Sequence, residues 1–154
     1  MSKVLAIFIT VLLVVLDQAS KMAAVRYLYH LPTLPLIPGV LHLTYAENSG
    51  AAFGLFQGGR WFFVAFTMVV IGVIAHYFVK MPNSREYGWV RVALVLIAGG
   101  ALGNFTDRLL KGFVVDFIHI VFIRFPIFNL ADIFIVVGTI LISFLMLFVI
   151  KDDA

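Results

Sequence analysis

The chain of 154 residues contains no cysteine, which excludes disulfides, thiolate chemistry and cysteine-bound metal. Charge is nearly as scarce. Only 12% of residues are Asp, Glu, Lys or Arg against 63% hydrophobic, and with a mean hydropathy of +1.10 an ordinary soluble domain is excluded. The net charge of +3 is scattered, and no basic block indicates nucleic acid. Internal repeats and low-complexity tracts are lacking too, so residues 1–154 read as a single integral-membrane domain. What is plentiful is hydrocarbon: sixteen Phe, and apolar stretches at 4–16, 61–79, 92–106 and 133–150.

Two of those stretches are long enough for a hydrocarbon core of about 30 Å, which takes roughly 20 helical residues. The other two reach only about 20 and 22 Å. To span, they must draw in the residues that follow: Asp17, Gln18 and Lys21 in the first case, Asp107 and Arg108 in the second. The spans are therefore expected at about 4–24, 61–79, 89–110 and 133–150, with polar groups at membrane depth. A cleaved signal peptide is the competing account of the first stretch, with Lys3 as its basic region. Asp17-Gln18-Ala19-Ser20-Lys21 is a poor small-residue cleavage site, so a retained helix is expected.

Four spans put both termini on one side of the membrane. Counting Lys and Arg barely decides which, although Lys80, Arg85 and Arg91 against Glu86 favour loop 80–91 as cytoplasmic. That loop carries the turn signal Pro82-Asn83-Ser84. Segment 27–60 has Pro32, Pro35 and Pro38, then the partly alternating VLHLTYAEN and a turn-like Asn48-Ser49-Gly50, which predicts a short strand-bearing lobe that the β-rich segment 113–128 can join. In the third span, Gly99 and Gly103 have the spacing that lets helix backbones approach closely in lipid.

Acids number eight, and an acid at membrane depth is costly unless it has a function. Counted from the presumed inner ends, Asp17 lies about 20 Å up its helix, Asn104 about 18 Å, Arg108 about 24 Å and Asp132 about 27 Å. Polar residues of three helices thus reach one depth. Asn104, Asp107 and Arg108 share a helix face, and Asp17 and Lys21 are an i, i+4 pair. A purely structural account reads Asp17–Lys21 and Asp107–Arg108 as ion pairs, and Asn129 as the N-cap of the fourth helix.

Asp116 and Asp132 stand in VVDFIHIVFIRFPIFNLAD with almost no other charge nearby. Two convergent carboxylates are the usual equipment for activating a water molecule, since close carboxylates cannot both ionise readily. Asp132, in a first helical turn, meets the positive end of the helix dipole; Asp116, in an apolar connection, is the better keeper of a shared proton. His42, His76 and His119 show no metal-ligand spacing. Ser20 beside Lys21 is a weak serine–lysine candidate.

LDQASK (16–21), ENSGAAFG (47–54), GGALGNFTDR (99–108), VVDF (114–117) and FNLAD (128–132) together resemble the bacterial lipoprotein signal peptidases, or signal peptidase II. The similarity extends over nearly the whole chain. It implies four transmembrane helices with a small extracytoplasmic β-cradle, both termini in the cytoplasm, and a site toward the outer leaflet of the inner membrane. The implied activity is that of an aspartic endopeptidase that removes the signal peptide from diacylglyceryl-modified prolipoproteins, cutting before the lipidated cysteine. By the same resemblance Asp116 and Asp132 are the catalytic pair, Asn48, Asn104, Arg108 and Asn129 line the substrate site, and Asp17, Lys21 and Asp107 support it. That chemistry requires no metal or other cofactor. Phe53, Phe56 and Phe128 offer apolar walls for membrane lipid or acyl chains, or simply core packing.

Read without the resemblance, buried acids also fit a small proton- or cation-coupled transporter. The outer lobe and the lack of repeats fit that reading less well.

Overall fold

A computed structural model describes residues 1–50, 56, 58–82, 84 and 87–149. The whole AAFG run with Phe53, and also Asn83, Arg85, Glu86 and Lys151, lie outside the described residues. The elements are α1 (Lys3–Leu28), β1 (Leu34–Ile37), β2 (Leu41–Asn48), α2 (Arg60–Lys80), α3 (Gly88–Leu110), β3 (Val114–Ile120) and α4 (Leu130–Phe148). All four helices are long and apolar enough to cross a membrane. α1, α2 and α4 carry exposed Val and Phe side chains along their length, as lipid-facing surfaces do.

α1 runs four residues beyond the expected end, for a reason visible in its second half. Asp17, Lys21, Ala24 and Leu28 are its buried positions there, an i, i+4, i+7, i+11 stripe that keeps the helix packed past its apolar stretch. At its start Ser2 accepts from Leu5 N–H as N-cap. α4 begins three residues before the expected position. Asn129 caps it, and Asp132 completes a capping box by accepting from Asn129 N–H.

α3 is the centre of the bundle: α4, α1 and α2 all pack on it, while α1 and α2 hardly touch. Glycines make the close approaches. A Cβ at Gly99 would lie 2.8 Å from Leu13, one at Gly103 2.6 Å from the Asp17 carboxylate, and one at Gly100 would overlap the Ala131 carbonyl. The Gly99–Gly103 spacing therefore seats α1, and Gly100 seats the start of α4.

The three strands form an antiparallel sheet in the order β1-β2-β3, so segment 113–128 does contribute a strand to the lobe. Ala46 pairs with Asp116 and Asn48 with Val114. Gly112 adopts φ +88° just after α3, a conformation glycine takes without strain. That reversal sends β3 back along the end of α3, where Val115 N–H donates to Asp107 Oδ2 at 3.1 Å. Val115 then packs with Ala24 and Leu28 of α1, fixing the sheet on the bundle.

Candidate active site

The polar residues of α1, α3, β3 and α4 form one connected network. Its base is Lys21, fully buried. The ammonium donates to Asn104 Oδ1 at 2.8 Å and pairs with Asp17 Oδ2 at 2.9 Å and Asp107 Oδ2 at 3.1 Å. Three donors meet three acceptors, which is the condition for burying such a charge. Asp107 takes a second cation, Lys111, at 2.9 Å, so two acids balance two bases. Asp17 Oδ1 accepts from Ala131 N–H at 3.0 Å, tying α1 to the otherwise unpaired first turn of α4.

Above this base stand the two asparagines. Asn104 Nδ2 donates to Asp132 Oδ1 at 2.7 Å. Asn129 Nδ2 donates to Asp116 Oδ1 at 2.6 Å and to Asn104 Oδ1 at 3.1 Å, while its Oδ1 accepts from Asp132 N–H at 3.0 Å. On the other side, Asn48 Nδ2 donates to Asp116 Oδ2 at 3.0 Å. The bland and the functional readings of Asn129 are thus both present: it caps α4, and the same side chain reaches the acids of two elements.

Asp116, on β3, is 2% exposed. Burial, and then the negative charge of Asp132, raise its pKa to about 6 despite the amide donors of Asn48 and Asn129. Both carboxylates line a cavity of about 490 Å³ with Asn48, Arg108 and an apolar wall that includes Phe128, Ile133 and Val136. Asp132, Arg108 and Ile135 also border a second cavity of about 270 Å³ between α2, α3 and α4, where Asn104 and Phe63 join them. Phe56 stacks on Phe62 of α2.

Two sequence-based pairings turn out differently. Asp107 pairs with Lys21 and Lys111, whereas Arg108 donates to Gly50 O at 3.0 Å and lies over the Phe63 ring at 4.5 Å. Lys111 also belongs to the supporting cluster; its i+4 spacing from Asp107 is the signal in the sequence. The serine–lysine candidate dissolves, because Lys21 is committed to the network and Ser20 Oγ donates to Asp17 O in its own helix. Gln18, drawn to membrane depth with Asp17 and Lys21 as expected, links the Asp17 carboxylate to Gly103 O. Among the described residues no three His, Asp or Glu side chains gather as a metal-holding set.

Four apolar helices around two neighbouring acids, one buried and one half-buried, and a small sheet define a polytopic membrane enzyme. Two solved structures of a bacterial membrane enzyme, obtained by the in meso method, match with a TM-score of 0.84 each. One is 34% identical and covers 99% of this chain and 94% of its own; the other is 35% identical and covers 96% of each. The sequence model for signal peptidase (SPase) II matches residues 9–148. The lipoprotein signal peptidases of Streptococcus pyogenes serotypes M6 and M5 are each 44% identical over 142 residues, 92% of either chain. The chain belongs to the signal peptidase II family.

Proposed function

We propose that this protein is an intramembrane aspartic endopeptidase acting on diacylglyceryl-modified prolipoproteins, with Asp116 and Asp132 as its catalytic pair and the cut falling just before the lipidated cysteine. One observation carries the assignment: the two acids open on the same cavity while a single buried amide, that of Asn129, is bonded to both residues.

The pair works with one shared proton, kept at Asp116, whose raised pKa suits that role. The Asp132 carboxylate takes a proton from water, and the water oxygen bonds to the scissile carbonyl carbon. Asp116 gives its proton to the developing oxyanion. When the resulting diol collapses, the C–N bond breaks, the proton on Asp132 goes to the leaving amine, and a diol hydroxyl returns a proton to Asp116. A carboxylic acid and an amine leave, and the pair is restored.

Asn48 and Arg108, which line the cavity with the acids, are assigned to the substrate backbone, whose N–H and C=O groups need partners in lipid. Asn104 and Asn129 are reassigned from substrate contact to positioning, because their amides are spent on Asp132, Asp116, Lys21 and each other. Asp17, Lys21, Asp107 and Lys111 hold the network from below. The apolar wall at Phe128, Ile133 and Val136 suits the acyl chains or the signal segment.

As the family resemblance implies for the termini, the opposite end of the bundle, with Lys3 and Lys80, is assigned to the cytoplasm. The acid pair and the sheet then face the outer leaflet of the inner membrane, where a lipidated substrate is anchored. Family membership leaves the exchanger reading without support.

The test is a gel-shift cleavage assay on protein in detergent, with lipidated and unmodified prolipoprotein as substrates. Cleavage of the lipidated form by the wild type, and by neither Asp116→Asn nor Asp132→Asn, is expected. Normal cleavage by either variant would sink the aspartic mechanism, and equal cleavage of the unmodified form would sink the substrate assignment.

A further inference from the structure

The half of the bundle away from the acid pair holds a cavity of about 410 Å³ that the proposed reaction does not use. α1 and α2 both lean on α3 without closing on one another, and the cleft lies between them. Leu94 and Ala98 of α3 floor it, with Ile7 and Val11 of α1 on one wall and Ile74 and Phe78 of α2 on the other. One lining residue is charged, Lys3, at the start of α1.

Arg91 shows what surrounds that end. Its guanidinium donates to Met1 O at 3.1 Å, Met81 O at 2.9 Å and Pro82 O at 3.4 Å. The start of α1 and the end of α2 are thereby held around one side chain, which puts Lys3 and Lys80, both exposed, at the same end of the bundle. The acids among the described residues are Asp17, Glu47, Asp107, Asp116 and Asp132, all in the network or the sheet. The described part of this rim is therefore basic, and loop 80–91 as a whole carries three bases to one acid, above a largely apolar cleft.

We propose that this cleft is a binding site for one anionic phospholipid, its phosphate between Lys3 and Lys80 and an acyl chain lying between α1 and α2. Water has no partners on such walls, and the surrounding solvent of the helices is lipid. Charge selects the occupant. A signal segment enters with its own basic region and is repelled at this rim. A second copy of the chain would bring an identical basic end. A zwitterionic lipid offers no net charge to the two lysines.

Native mass spectrometry of the purified protein, titrated with phosphatidylglycerol or phosphatidylcholine, tests this. The wild type is expected to retain one phosphatidylglycerol, bound about tenfold or more tightly than phosphatidylcholine. The double variant Lys3→Gln/Lys80→Gln should level the two. Ala75→Phe, which projects into the cleft from α2, should lose the retained lipid while cleavage of the lipidated substrate persists. Equal retention of both lipids by the wild type, or undiminished retention by Ala75→Phe, would mean annular lipid only and overturn the site. A dimer that Ala75→Phe dissolves would assign the cleft to a second copy instead.

Discussion

Asn129 Nδ2 stands 2.6 Å from Asp116 Oδ1, so the residue that caps α4 also aims the acid of the neighbouring strand. Asn129 is fully buried, and each polar atom of its amide has a partner. Asn129→Ala should take one donor each from Asp116 and Asn104, which keep only Asn48 and Lys21, at a cost of about 1–3 kcal/mol. The loosened pair should turn over up to about a hundredfold more slowly. Steady-state kinetics with lipidated substrate would check this; because Asn129 is assigned to positioning, kcat should fall and KM should stay nearly unchanged.

The Asp116 pKa of about 6 owes part of its rise to the charge of Asp132. Asp132→Asn removes that charge, so the value should move down toward the ordinary carboxylate range. Carboxyl-carbon NMR of labelled aspartate across pH 3–8 would report the shift. An unchanged or higher value in the variant would mean that the two acids do not sense each other.

The same shift has a sign for stability. A carboxyl that holds its proton more tightly when folded favours the fold fully below its unfolded pKa, about 3.9. The advantage fades as pH rises through about 6. Melting temperature should decline over that window in the wild type, and the decline should be shallower in Asp116→Asn.

Lys21 is the cation on which two buried carboxylates close. Lys21→Met keeps the length of the side chain but leaves Asp17 without its ion pair, and should cost about 3–5 kcal/mol. Thermal unfolding in detergent reads it directly. A fall of less than about 1 kcal/mol would show the cluster to be redundant.

Gly103 leaves room for the Asp17 carboxylate, which a Cβ would approach to 2.6 Å. Gly103→Ala should force α1 away from α3 and cost about 1–3 kcal/mol. Activity should fall with it, since Asp17 also holds the start of α4 through Ala131. Gly72, with open space around it, is the control: Gly72→Ala should change neither melting temperature nor turnover.

Some of this architecture is legible in the residues because the physics is local or one-dimensional. The shortfall of the 4–16 and 92–106 stretches forces Asp17, Lys21, Asp107 and Arg108 into the bilayer, and i, i+4 spacing alone finds Asp17–Lys21. Glycine spacing shows where helices approach, though not that Gly100 would receive α4 and Gly99 α1. Partners across elements stay hidden. Nothing in the order of residues says that Asp107 prefers Lys21 to its neighbour Arg108, or that Asn104 faces Asp132. Helix ends shift for a related reason: α1 continues to Leu28 because paired polar side chains extend its buried stripe, which an apolar-run criterion does not register.

The hydrogen bond from Ala131 N–H to Asp17 joins the first helix of the chain to the last. A chain still emerging from the ribosome has α1, β2 and α3 before it has α4, and so has neither Asp132 nor the donor that Asp17 awaits. Asp116 and Asp132 can therefore meet only in a chain that has extended into α4, after the rest of the bundle that receives it has been made.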